Sequence, residues 1–163
     1  MNKTTKKVAL LGVLTALYVV LSFAMKLPLI SHIQTDLGYI AFGVAAVTVG
    51  VPALVVGVLG SLLVSLLTSG WVPIGWMLGQ AFIGVICGLA YRKNKSAILN
   101  ILITILAVFV GVGLIKTGVE CYLYSIPFAV KFAKNFVAFV ADFIPMLIGY
   151  FLATKTALRK FTA

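Results

Sequence analysis

Apolar residues fill this chain in six long runs, Val8 to Met25, Leu37 to Val51, Pro52 to Thr68, Pro73 to Tyr91, Ala97 to Ile115 and Asn135 to Thr154, separated by polar or Gly/Pro breaks. A helix that crosses a bilayer needs ~20 mostly apolar residues, so the runs read as membrane helices. Only Leu37 to Thr68 resists a simple reading. As one helix it would be about 48 Å long, well beyond a ~30 Å hydrocarbon core. Gly50-Val51-Pro52 offers the break that divides it into two short helices. The expectation is an all-α integral membrane protein, a single transmembrane domain over residues 1–163 built as a bundle of six helices.

Composition agrees. The chain is 63% hydrophobic and its mean hydropathy is +1.19, more than a water-soluble domain of this size carries. The first run is long and lacks a small-x-small cleavage site ahead of a polar region, so it is expected to stay as a membrane helix. The net charge of +10 comes from Lys and Arg in small groups at the ends of apolar runs, without interleaved exposed aromatics, which argues for topology signals and against nucleic acid. Six spans with both termini cytoplasmic place Lys3, Lys6, Lys7, Arg92, Lys93, Lys95, Lys155, Arg159 and Lys160 inside. That leaves Lys26, Lys116, Lys131 and Lys134 outside. Merging spans two and three would send Arg92, Lys93 and Lys95 outward. On the six-span topology Asp36, Glu120 and His32 lie in outward connections, and Asp142 about two turns into the last helix from its outer end. The two longest connections, Lys26 to Asp36 and Lys116 to Lys134, are outside as well. An outward-facing site follows.

Its candidate residues are the polar and aromatic groups at membrane depth. Trp71 and Trp76 stand near the interface, and Gln80 lies one turn below Trp76 on the same face. An amide in hydrocarbon costs several kcal/mol unless paired, so Gln80 needs a neighbouring helix or a ligand. Steps of four and three put Asn135, Phe139 and Asp142 on one side of the last helix, while Pro145 leaves the Ala141 carbonyl without its usual partner. Asp142 has two readings, contact with a ligand or an ion pair with Lys131, Lys134 or Lys116. In the outer loop Glu120, Tyr122 and Tyr124 are candidate lining, beside an amphipathic piece carrying Lys131 and Lys134. Small residues at four-residue spacing, Gly57, Ser61 and Ser65 in span three and Gly75, Gly79, Gly84 and Gly88 in span four, read as internal packing. Gly12 and Ala16 in the first helix read as a face for a partner. Cys87 lies in an apolar run, Cys121 in a loop, and His32 is the single histidine, so neither a disulfide nor a metal site is expected.

The stretches "KKVALLGVLTALYVVLSF", "IQTDLGYIAFGVAAVTVG", "GVLGSLLVSLL" and "GQAFIGVICGLAYRK" together resemble the substrate-binding S components of energy-coupling factor (ECF) transporters, six-helix bacterial membrane proteins for vitamins and other micronutrients. The resemblance implies that Gly12 and Ala16 dock a transmembrane coupling subunit, with Gly12 where alanine is usual. It implies a pocket in the outer half, with Trp71, Trp76, Gln80, Glu120, Tyr122, Asn135, Phe139 and Asp142 around a small-molecule vitamin or precursor. The first outward loop, with His32, Gln34 and Asp36, would cap it. Where several branches of the family carry an acid late in the third helix, this chain has Ser65, so no branch's substrate carries over. The implied partners are the lipid bilayer, the coupling subunit and two ATPase subunits that use the ATP. No cofactor is expected in this chain, which lacks a Gly-rich phosphate loop, and the implied location is the bacterial cell membrane as a multi-pass protein. A stand-alone small transporter or channel that uses the intramembrane carboxylate is the alternative, weakened by the lack of a visible inverted repeat. An enzyme is not expected: no paired metal-ligand motif or nucleophile elbow is present.

Overall fold

The computed structural model describes residues 2–24, 27–30, 33–93 and 96–156. Helix α1 (Lys3–Ala24) leads into two short antiparallel strands, β1 (Leu27–Ile30) and β2 (Ile33–Thr35). Then come α2 (Gly38–Thr48), α3 (Ala53–Ser69), α4 (Ile74–Lys93), and a continuous helix made of α5 (Ala97–Val108), a π-helical segment (Phe109–Lys116) and α6 (Thr117–Tyr124). The final helix is α7 (Phe128–Lys155). Four helical stretches, Thr4–Phe23, Ile74–Lys93, Ala97–Tyr124 and Phe128–Lys155, are long and apolar enough to cross a membrane, whereas α2 and α3 are shorter.

The predicted break between α2 and α3 is real. Gly50 has φ of 74°, a left-handed conformation that glycine adopts without Cβ strain, and Pro52 opens α3. A Cβ on Gly50 would meet the Arg92 side chain, so this turn lies at the same end of the bundle as the carboxyl end of α4.

Three expectations need correction. The strand pair in the first connection departs from an all-helical chain; Gln34 pairs with Pro28 through its backbone there. His32 lies outside the described residues. The expected loop Lys116 to Lys134 is mostly helix and shrinks to residues 125–127, so Cys121 lies in α6, not in a loop. Nothing before Pro127 breaks the helical pattern, and Ser125, left-handed at φ 53°, ends α6. Because α7 therefore starts seven residues early, Asp142 sits about four turns from its beginning, not two.

The core lies around α2, in which nine of eleven residues are buried. Its tightest partner is α7. A Cβ on Gly43 would strike the Met146 carbonyl oxygen, and one on Gly149 the Ile40 carbonyl oxygen, so these two backbones touch directly. The glycines of α4 pack internally as expected, Gly79 on the Gly111 backbone, Gly84 on Leu54 and Gly88 on Gly50. On α1, Leu14, Thr15, Tyr18 and Ser22 are buried, while Gly12, Val13, Ala16, Leu17 and Val20 face outward.

A candidate ligand-binding cavity

At the strand-pair end of the bundle lies a cavity of about 520 Å³, within the range that holds a small organic ligand. Its buried portion is lined by Asp36, Asp142, Ser22 and Ser65, and its more open portion by Trp71, Glu120 and Lys134. Trp76 and Lys116 complete one wall, with the Lys116 ammonium 5.2 Å from the centre of the Trp76 ring, a cation–π distance. Thr68 and Ser69 also line it, each satisfied by a bond back to its own helix, 2.8 Å to the Val64 carbonyl and 3.0 Å to the Ser65 carbonyl.

Asp36 is held on all sides. Its carboxylate accepts hydrogen bonds from the Tyr18 hydroxyl (2.8 Å), the Ser22 hydroxyl and the Gly38 amide (2.9 Å). Burial raises the Asp36 carboxyl above its ordinary value of 3.8, and the bonds from Ser22, Tyr18 and Gly38 restrain the rise. Its own amide points to Asp142 Oδ1 at 3.4 Å. Among the described residues that long contact is the one within hydrogen-bond distance of Asp142, with the buried Tyr39 hydroxyl facing it from farther off, although the side chain is 5% exposed. The two carboxylates thus differ in kind: Asp36 has its acceptor positions filled by protein donors, and Asp142 turns largely unused acceptor capacity toward the cavity.

Of the two partners that the sequence left open for Asp142, no lysine lies within ion-pair distance of it among the described residues, although Lys116 lines the same cavity and acts on it electrostatically from farther off. Among the described residues the ion pair at this end joins Lys131 to Glu120 at 3.2 Å. Asn135 does not line the cavity but donates to Thr117 Oγ1 (2.9 Å) and to Glu120 Oε2 (3.2 Å), which fixes the Glu120 carboxylate from behind. Gln80 is fully buried and donates to the Tyr18 hydroxyl at 3.1 Å, so it reaches the cavity only through Tyr18 and Asp36. Phe139 is packed among aromatic rings, 5.4 Å from Phe109 and 5.5 Å from Phe143. Tyr122 is 87% exposed and does not line the cavity; Tyr124 packs edge-on to Trp71 at 5.4 Å.

Sequence reasoning passed over Ser22, Lys116, Lys134 and Thr68 as cavity residues and Tyr18 as the buried support behind Asp36, and took Ser65 for packing alone. For Tyr18 and Ser22 a signal existed: a four-residue step between two hydroxyls in an apolar helix, the spacing that lets both reach one acceptor. Gly12 stands clear of the rest of the protein, with nothing within 4 Å of a Cβ built there.

A profile of the family described as "ECF-type riboflavin transporter, S component" matches residues 2–160. The chain belongs to this family. An S component is the substrate-binding subunit of a transporter, so the chain is a membrane transport protein and not an enzyme. It is also similar to a "UPF0397 protein" of Streptococcus thermophilus, 22% identical over 158 residues that cover 91% of this chain and 87% of the relative.

Proposed function

We propose that this S component captures a small water-soluble vitamin or related micronutrient at the cavity, from the outer side of a bacterial cell membrane. It hands the ligand inward with a transmembrane coupling subunit and two ATPase subunits. The observation that carries the reading is Asp142, a buried carboxylate in a ligand-sized cavity with one long protein hydrogen bond. In this proposal all six helical stretches form one transmembrane domain with both termini cytoplasmic. The shared position of the Gly50 turn and Arg92 supports it, because that arrangement gathers the basic end of α4 with the α2–α3 turn on one side.

The proposed roles are these. Asp142 accepts from an N–H or O–H edge of the ligand, Trp71 and Trp76 take its ring, and Lys116 and Lys134 meet its acceptor groups. Glu120 shapes the entrance, with Asn135 bonded to it. Gln80 and Phe139 support the walls from the second layer, Tyr122 has no contact role, and Asp36 closes the cavity from the first outward connection. Gly12 and Ala16 offer the coupling subunit a smooth helix face, which is exposed. Riboflavin, named in the family's description, is the first compound to test, since its fused ring carries both a donor edge and acceptor carbonyls.

The test is direct. The purified chain is analysed by mass spectrometry for co-purifying small molecules and by thermal shift against riboflavin, the other B vitamins, their precursors and nucleobases. The expected outcome is one compound bound with an affinity on the order of nanomolar. No stabilisation by any compound, with nothing co-purifying, rejects the proposal; substrate flux through liposomes holding this chain alone would favour an independent transporter instead.

A further inference from the structure

A second cavity, of about 410 Å³, runs along the seam between α4 and α5 and shares no lining residue with the first. Phe82 and Leu89 of α4, with Leu106 of α5 and Val110 just beyond it, form its sides, and the small Ala90 and Ala107 lie between them. This lining is hydrocarbon throughout until Lys93, which closes one end. From Phe82 to Lys93 the rise is about 16 Å along the helix, half of a ~30 Å hydrocarbon core. The groove therefore has the length of one leaflet, with its cation at the end where α4 stops.

Two further features make that end attractive to an anion. Helix α5 starts shortly after Lys93, capped by the Ser96 hydroxyl on the Leu99 amide at 3.5 Å, so the positive end of its dipole lies beside the lysine in sequence. The Arg92 side chain lies beside Gly50 and does not line the groove, which leaves Lys93 as its basic lining side chain among the described residues. An acyl chain alone would need only the hydrocarbon walls. The combination of a leaflet-length apolar groove, a terminal ammonium and a helix amino terminus matches a molecule with one long chain and a phosphate at its head.

We propose that the α4–α5 groove holds an acyl chain of an anionic phospholipid whose phosphate rests on Lys93 and the first turn of α5. The lipid would brace α4, which carries Trp76, against α5, whose helix continues through the π-helical segment ending at Lys116 into α6 with Glu120.

The full chain, delipidated in detergent, is titrated with dioleoylphosphatidylglycerol or dioleoylphosphatidylcholine, and bound copies are counted by native mass spectrometry. The expected result is a first phosphatidylglycerol held about fivefold more tightly than phosphatidylcholine, the factor for one lysine at headgroup level. Lys93→Gln should erase that preference. Leu106→Trp, at an exposed position on the groove wall, should weaken the first copy of both lipids without harming the fold. Equal retention of the two lipids by the natural chain overturns the proposal. So does a preference that survives Lys93→Gln, or a first copy unaffected by Leu106→Trp. Release of the lipid when a partner protein seats on this face would reassign the groove to a protein interface.

Discussion

Replacing Asp142 by asparagine removes the carboxyl group from the cavity while keeping the shape of the side chain and an oxygen able to accept the Asp36 amide, 3.4 Å away. If the lost carboxylate is what a ligand donor meets, one charge-assisted hydrogen bond goes, about 1.5–3 kcal/mol. Affinity then falls roughly 10- to 150-fold. Stability without ligand should behave in the opposite sense. Asp142 is 5% exposed and lies next to a second acid, so a neutral amide relieves a desolvation cost, and the melting temperature should hold or rise. Both quantities can be read on one preparation: Kd by titration calorimetry with the compound that co-purifies, and unfolding by scanning fluorimetry of the ligand-free protein. An affinity within about twofold of the natural chain, well short of the loss of one such bond, refutes the ligand role. A fall of several degrees in the ligand-free melting temperature refutes the claim that the protein leaves Asp142 underused.

Tyr18→Phe deletes the hydroxyl that bridges Gln80 and Asp36, and leaving buried partners unbonded should cost about 1–3 kcal/mol, measurable as a lower melting temperature even without ligand. Gly43→Ala drives a methyl group into the α7 backbone and should destabilise by about 1–3 kcal/mol or more, visible as lost folded yield in size-exclusion profiles. Gly12→Trp, by contrast, meets open space and should melt like the natural chain, yet fail to co-purify with the coupling subunit. Glu120→Gln breaks a partly exposed pair with Lys131 and should cost less than about 1 kcal/mol, a loss that shrinks as salt is added to the melting assay.

What could be read from the residues and what could not divide along a physical line. Hydrophobic runs, Gly50 with Pro52, and a lone acid in a hydrocarbon stretch report length, break and burial cost, which the bilayer imposes on any sequence; the α2–α3 break and the depth of Asp142 in the protein follow from them. Helix rotation is another matter. In a membrane both the lipid face and the packed face are apolar, so only the sparse hydroxyls of Tyr18 and Ser22 mark which side of α1 faces inward, too weak a stripe to set them apart from ordinary residues of a span. Stripe counting along α7 put Asn135, Phe139 and Asp142 on one face, and all three are buried, but only Asp142 lines the cavity. The helical course of 116–124 was masked by its polarity: Lys116 and Glu120 look like loop residues until they are seen one turn apart on a helix, turned toward the cavity. The π-helical segment from Phe109 to Lys116 also breaks the 3.6-residue count that would have assigned those faces.

The direct backbone contact between α2 and α7 has a mechanical meaning. No layer of side chains separates the helices at Gly43 and Gly149, so nothing there can compress or change rotamer when the protein is loaded. The amide of Asp36, two residues ahead of α2, and the carboxylate of Asp142, within α7, are therefore carried by a single stiff frame. The link to α1 is of another kind, the Tyr18 ring set against Tyr39 and Phe42 and hydroxyl bonds from Tyr18 and Ser22 to Asp36. A shift of α1 would therefore act on the cavity through side chains that can change rotamer, whereas the two acids sit on backbones in direct contact.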